Sequence, residues 1–548
     1  MQGLMQDWPL TVDKILDHGA TWHGNREVVT RSLEGGIVRT TYGQMRARAK
    51  KLSNALLAHG IQPGDRVATL AFNTWRHIEA WYGVMGIGAV CHTLNPRLFA
   101  EQLVYIINHA EDRIILADSV CAPILAGILD QCPTVEKVIW LTSDAHMPAA
   151  PQGTLLAGVS YESFISGLSE DCAWGQFDEN QAAGLCYTSG TTGNPKGVLY
   201  SHRSNYLHTL MSLQADVQGL SSADNVLMVV PMFHANAWGL SFSAPAVGAK
   251  LVLPGNQMDG PSICQLLNEE QVSVSAAVPT VFQMLLQHLQ ATGTRLPYLK
   301  KVLIGGSACP ESIIRTFNDD YDVEVLHLWG MTEMSPVGSV GVPCATVGAL
   351  PYDEQIPYRL KQGRVPLGVD MRLEDDAGAP LPHDGHTFGR LKVAGHSVAK
   401  AYFRGEGGQI LDKDGFFDTG DVATLDALGY MQITDRSKDV IKSGGEWISS
   451  IEIENIAAGH PKVALAAVVG LAHPKWDERP LLVIQLKPGE TSTKEEMLHF
   501  LDGKIAKWWM PNDVAFDTVP LGATGKIDKK LIRQKYEGYQ WPEAVAAE

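Results

Sequence analysis

The chain has 548 residues, 45% hydrophobic and 19% charged, an ordinary globular composition in a length too great for one core, so at least two domains are expected. A net charge of −16 argues against a surface built for nucleic acid or for an anionic membrane, while leaving room for a local basic pocket that takes phosphates. The eight cysteines (Cys91, Cys121, Cys132, Cys172, Cys186, Cys264, Cys309, Cys344) form no C-x-x-C pair and no metal-ligand spacing, and they read as reduced, mostly buried residues of a cytoplasmic protein. MQGLMQDWPL at the start lacks a basic stretch followed by an apolar one, and no apolar run approaches the length of a membrane span, so a soluble protein is expected.

Short β-branched runs alternate with longer amphipathic stretches through the first two thirds of the chain. Helices are predicted over Tyr42–His59 and Gly260–Glu270, and strands at Arg66–Leu70, Ile114–Ala117, Lys137–Leu141 and Leu251–Leu253. Alternation of this kind predicts parallel sheets covered by helices. From about residue 364 the pattern changes. Gly389–Ala394 and Gly429–Ile433, with Asp414-Gly415 between them, predict an antiparallel, β-barrel-like region. The charged break Asp435-Arg436-Ser437-Lys438-Asp439 then leads into a small α/β unit, with strands near Ala464–Val469 and Leu481–Leu486 and a helix near Lys494–Trp508. The expected division is residues 1–434 and 435–548.

Thr188-Ser189-Gly190-Thr191-Thr192-Gly193-Asn194-Pro195-Lys196-Gly197 lies between two short apolar runs. Its glycines permit a tight loop whose N–H groups converge on an anion, its four hydroxyls add donors, and Lys196 adds a fixed positive charge. On residue types alone, a polyphosphate cradle and a hydroxyl-rich hairpin turn both remain open; the Walker A spacing is absent.

This ten-residue segment resembles the phosphate-loop motif of the adenylate-forming superfamily, which comprises acyl-CoA synthetases, peptide-synthetase adenylation domains and luciferases. The family's other motifs follow in order. The resemblance covers about residues 10 to 540 and implies an α/β fold: a large N-terminal domain that adenylates a carboxylate, and a small C-terminal domain that rotates about a hinge at Asp435. Trp329-Gly330-Met331-Thr332-Glu333 resembles the adenine-binding segment, with Thr332 on the α-phosphate and Glu333 holding Mg²⁺ together with Thr188. Gly305-Gly306-Ser307-Ala308, at the end of a predicted strand, is implied to line the adenine and the acyl pocket. Asp421, in Thr419-Gly420-Asp421, and Arg436 match the ribose contacts.

His234 is implied to border the substrate carboxylate, Trp238 to wall an apolar acyl pocket, and Met331 to line it. Lys526, between Gly522 and Ile527, matches the lysine that reaches the α-phosphate; of its neighbours, Lys529 or Lys530 is expected to be solvated. Lys442-Ser443-Gly444-Gly445-Glu446-Trp447 is implied to face coenzyme A in the second half-reaction. The resemblance therefore implies ATP, Mg²⁺ and coenzyme A, with Lys526, His234, Glu333 and Thr188 catalytic; a homodimer is compatible with it. Within the superfamily the text is most similar to bacterial ligases for medium-chain fatty acids and 3-methylmercaptopropionate. A carrier-protein acceptor and an aryl or other acid stay open as alternatives.

Overall fold

The structure, a computed structural model, describes residues 1–188, 194–436, 439, 441–443, 446–522 and 526–542; of Arg436, Lys442, Glu446 and Trp447 it describes the backbone. Two large sheets dominate the first part of the chain. One has eight strands in the spatial order Val337–Val340, Glu324–Gly330, Lys301–Ile304, Val274–Ala277, Asn225–Met228, Lys250–Leu253, Glu27–Arg31 and Ile37–Thr41. Its six inner strands are parallel, and each edge strand pairs antiparallel. The other has seven, in the order Val159–Ser160, Lys137–Trp140, Ile114–Ala117, Arg66–Leu70, Val90–Thr93, Ala182–Tyr187 and Gly197–Ser201, all parallel except the last pair.

The inner strands are largely apolar and buried on both faces: all four residues of Ile114–Ala117 and of Val274–Ala277, Ser275 included, are buried. Those helices begin where the sequence supplies caps. Thr41 accepts from Gln44 N at 3.3 Å to start the helix Tyr42–Ala58, and Asp259 accepts from Ser262 N at 2.9 Å, followed by Pro261, to start Gly260–Glu269.

The antiparallel region is a four-stranded sheet, Val369–Glu374, Gly389–Gly395, Phe417–Leu425 and Met431–Arg436 in sequence order. After it comes a smaller sheet in which Val463–His473 pairs antiparallel with Asp477–Leu486, and Asp513–Phe516 adds in parallel. The apolar clusters of this last unit, around Ile441, Val468, Leu482 and Leu501 and around Ala467, Leu481 and Ile532, contain no residue of the preceding sheets. The helix predicted to run to Trp508 stops at Leu501. Asp502 is extended and Gly503 takes φ of +73°, which turns the chain out of the helix before a short 3₁₀ turn at Lys507–Trp509.

Candidate active site

The phosphate loop leaves the large sheet at the turn between strands Ala182–Tyr187 and Gly197–Ser201. Its neck is closed by two hydrogen bonds, from Thr188 N to Lys196 O at 2.9 Å and from Lys196 N to Thr188 Oγ1 at 3.2 Å. Ser189, Gly190, Thr191, Thr192 and Gly193 lie outside the described residues. Lys196 Nζ stands 5.0 Å from the centre of the Tyr402 ring, a cation–π contact. Tyr402 in turn donates its hydroxyl to Glu333 Oε1 at 2.6 Å. Burial, then the charge of Glu333, pushes the Tyr402 phenol far up, so it stays a donor. The lysine of the loop and the carboxylate of the adenine segment are thereby linked through one aromatic ring that no motif contains.

The adenine segment is shaped by close backbone approach. Any side chain at Gly330 would collide with the carbonyl of Pro336, and one at Gly305 with Leu328. Tyr200 donates to Thr332 O at 2.7 Å, and Met331 N donates to Pro336 O at 3.0 Å, which fixes the turn carrying Thr332 and the buried Glu333. Trp329 Nε1 donates to Asp421 Oδ2 at 2.9 Å, joining two motifs 92 residues apart. Asp421 sits directly opposite Arg436 in the antiparallel register, so the two residues assigned to the ribose are cross-strand neighbours.

Strand Lys301–Ile304 ends at Gly305 and Gly306, with Ser307 exposed and Ala308 half-buried on the loop beyond. Three groups converge on Gly306. A Cβ there would lie 3.2 Å from Val278 Cγ1, 3.8 Å from Trp238 Cζ2 and 3.7 Å from Lys526 Cε, and Gly306 itself takes φ of +86°. His234 is buried within reach of the Lys526 charge. Burial, then the positive charges of Lys526 and Arg97, hold its imidazole down at about 4, so it is neutral at pH 7. The segment carrying His234 is stitched between the two large sheets by Asn73, which is fully buried. Its Nδ2 donates to Met228 O and Val230 O, both at 2.8 Å, and its Oδ1 accepts from Met232 N at 2.8 Å.

Downstream of His234 the backbone is unusual. Ala235, Asn236, Ala237 and Trp238 carry φ of 39°, 58°, 49° and 54°, and Gly239 carries 82°. A left-handed conformation costs an L-residue roughly 1–2 kcal/mol, so this turn exists only because its surroundings impose it.

In the small unit Lys526 leaves a tight loop, with Gly522 N donating to Lys526 O at 2.7 Å; Ala523, Thr524 and Gly525 lie outside the described residues. Of the two neighbouring lysines Lys530 is the exposed one, and Lys529 is held inside the unit. Its Nζ pairs with Glu454 Oε1 at 2.9 Å and donates to Ser450 Oγ, and only 12% of its side chain is exposed. Ser450 N donates to Asp435 Oδ2 at 2.9 Å, and Ser450 Oγ also reaches that oxygen, so the hinge carboxylate is tied to the start of the helix Ser450–Ala458. The strand Ile441–Ser443 pairs with Glu446–Ile448. Gly444 and Gly445, and the side chains of Arg436, Lys442, Glu446 and Trp447, lie outside the described residues. The root of this hairpin is held by Arg479, which donates to Ser443 Oγ at 3.1 Å, Trp508 O at 2.9 Å, Met510 O at 3.0 Å and Asn512 Oδ1 at 2.6 Å.

With this geometry established, known proteins were compared. A family described as AMP-binding enzyme matches residues 16–403, and its C-terminal domain, AMP-binding enzyme C-terminal domain, matches residues 452–526. The chain belongs to the AMP-binding enzyme family. Among its relatives, the 3-methylmercaptopropionyl-CoA ligase of Ruegeria lacuscaerulensis is 49% identical over 98% of this chain and 99% of its own length. The medium-chain-fatty-acid–CoA ligase of Ectopseudomonas oleovorans is 47% identical over 98% of both chains. Among solved structures, an anthranilate CoA ligase in complex with anthranoyl-AMP superposes with a TM-score of 0.86 over 97% of this chain and 99% of its own, at 23% identity. An ATP-bound MatB from Rhodopseudomonas palustris does so with 0.79 over 97% and 99%, at 26% identity.

The protein is an AMP-forming acid–thiol ligase of this family. None of the eight cysteines stands in the constellation as a nucleophile: seven are buried, and burial drives thiols such as Cys91 and Cys309 far up, away from the reactive thiolate. Among the described residues no helix is long and apolar enough to cross a membrane. Sequence reasoning missed Asn73, Tyr200, Tyr402 and Arg479. Each is a single residue with no local repeat around it, and only the three-dimensional contact reveals its role.

Proposed function

We propose that this ligase activates a short- or medium-chain carboxylate, 3-methylmercaptopropionate or a medium-chain fatty acid, with MgATP and then passes the acyl group to coenzyme A. The observation that carries this reading is the convergence of Lys526 and Trp238 on Gly306, with the Lys526 charge acting on the buried His234. A cation and an aromatic wall meet at one glycine, with a neutral imidazole within reach of the cation's charge, the arrangement needed where a carboxylate with an apolar tail meets an α-phosphate. The names of the most similar relatives supply the acid class.

In the first half-reaction a carboxylate oxygen attacks the α-phosphorus, and the bond to pyrophosphate breaks. Lys526 Nζ stabilises the charge that builds on the phosphoryl oxygens, and His234, uncharged, orients the carboxylate without competing for it as a second cation. Asp421 and Arg436 hold the ribose, and the Gly330–Met331 backbone lies along the adenine. Among the described residues no three His, Cys, Asp or Glu side chains gather at one point. Mg²⁺ would therefore be held by Glu333 and the Thr188 hydroxyl, complete its shell with phosphate oxygens and water, and neutralise phosphate charge. In the second half-reaction the thiol of coenzyme A loses its proton, attacks the acyl carbon and expels AMP. For this step the unit beyond Asp435 turns, replacing Lys526 at the site with the hairpin rooted at Ser443. The division of the chain at residues 434/435 belongs to this reading.

The test is AMP and pyrophosphate formation with 3-methylmercaptopropionate, butyrate, hexanoate and octanoate, each with and without coenzyme A. AMP release that depends on coenzyme A is expected. Equal AMP release in its absence, or activity with none of the four acids, would overturn the reading.

A further inference from the structure

The indole that walls the acyl pocket hangs on the left-handed turn Ala235–Gly239, and the turn is held by buried amides and hydroxyls from outside it. Gln218, 1% exposed, donates Nε2 to Trp238 O at 2.8 Å and accepts at Oε1 from Ser243 Oγ at 2.7 Å. Its own backbone is anchored at both groups. Gln218 N donates to Ser212 O at 2.9 Å, and Gln218 O accepts from Lys301 Nζ. On the other side of the turn, Asn236 Nδ2 donates to Asn205 Oδ1 at 3.2 Å, and Ser241 Oγ donates to Asn236 O at 3.2 Å. Asn205, Gln218, Ser241 and Ser243 are all buried, so none of these bonds can be exchanged for water without opening the core.

A strained backbone relaxes when the contact that imposes it is removed, and here relaxation moves a specific object. Trp238 Cζ2 stands 3.8 Å from the Cβ position of Gly306, where the acyl chain meets the carboxylate end of the pocket. We propose that Gln218 is a specificity-determining positioning residue: by holding the carbonyl of Trp238 it fixes the indole wall, and with it the discrimination among acyl chain lengths. Gln218 touches neither substrate nor reacting atoms. Its effect passes through the backbone of Trp238, so it acts on which acid is accepted and not on how ATP binds. This inference rests on the acyl-pocket reading of Trp238 given above.

The experiment compares the full-length wild type with Gln218→Met and Ser243→Ala, measuring kcat and KM for butyrate, hexanoate, octanoate and 3-methylmercaptopropionate, and KM for ATP. Gln218→Met keeps the length of the side chain but neither donates to Trp238 O nor accepts from Ser243. It is expected to compress the ratio of kcat/KM between the best and the poorest acid by roughly fivefold or more, with KM for ATP within about twofold of wild type. Ser243→Ala, which frees the Gln218 amide without removing it, is expected to do the same to a smaller extent. A uniform fall for all acids, or unchanged ratios, overturns the proposal. If Gln218→Met does not fold, the Ser243→Ala ratios decide the matter by the same criterion. Wild-type inactivity with all four acids would instead overturn the substrate reading, which keeps the two failures distinct.

Discussion

The large domain and the small unit hold their reactive groups by different means. Around the adenine and acyl sites the supporting bonds run between neutral or singly charged buried partners: Tyr402 on Glu333, Trp329 on Asp421, Gln218 on the Trp238 carbonyl, Asn73 across the two sheets. In the small unit the supports are ion pairs and cations, Lys529 with Glu454, Arg533 with Asp439, and the Arg479 guanidinium over Trp508 at 4.7 Å. A buried neutral hydrogen bond is costly to leave unmade, so it commits a region to one geometry. The large domain thus holds these supports through neutral or singly charged buried bonds, and the small unit through charged pairs within its own fold.

The strongest way to break this contrast is Lys526→Ala. Pyrophosphate formation should fall by roughly 10²–10³-fold, the usual effect of removing one preorganised electrostatic partner. Thioester formation from supplied acyl-AMP should stay within a few-fold of wild type. Equal losses in the two half-reactions would mean that the small unit does not divide its work between two faces.

Arg479→Met probes the other face. Removing four hydrogen bonds from the root of the hairpin should slow acyl transfer from acyl-AMP to coenzyme A by about tenfold while sparing pyrophosphate release, since Arg479, 6% exposed, is bonded to Ser443 at the hairpin's root. Stopped-flow measurement of the two steps separates them, and a larger effect on pyrophosphate release would sink the assignment. Ser450→Ala should act in the opposite sense and more weakly. It frees the hinge carboxylate from a hydroxyl it holds while Lys526 is at the site, so adenylation should slow about threefold with transfer unchanged or faster. A transfer-specific loss in this variant would argue against the hinge carboxylate favouring the adenylating arrangement.

Much of this contrast could be read from the sequence, for identifiable reasons. The strands Arg66–Leu70 and Ile114–Ala117 stand where β-branched runs put them, because a strand buried on both faces has no alternative to an apolar run. Lys526, Glu333 and Asp421 stood out in the sequence because each falls in a short motif. What stayed hidden depends on contacts between distant segments. Tyr402 looks like any half-buried tyrosine until Glu333, 69 residues earlier, is placed against it. Lys529 looks solvated beside Lys530 until Glu454 and Ser450 fold onto it. The run of positive φ at Ala235–Trp238 has no signature in residue type, since only Asn236 favours that conformation; tertiary bonds impose it.

The smallest expected effect tests whether the neutral supports of the large domain are neutral by design. His208 is fully buried, and its Nε2 accepts from Val337 N at 3.1 Å, a bond that protonation would abolish. Burial, then the nearby His396, pushes its imidazole down to about 3, below the ordinary 6.5 it has in the unfolded chain. Between those two values the unfolded state binds the extra proton and the folded state does not. The stability His208 contributes is therefore fully present above pH 6.5 and is lost progressively as pH falls toward 3, at roughly 1.4 kcal/mol per pH unit within that window. His208→Gln offers an amide oxygen to the Val337 N–H and does not titrate. At pH 7.5 it should cost about 1 kcal/mol, and on moving to pH 5.5 the gap to wild type should close by about the same amount. Urea unfolding midpoints of the two proteins at the two pH values measure it. A gap that stays constant would show that His208 is not held neutral by burial in the folded protein, and that the large domain tolerates charge where its geometry implies it does not.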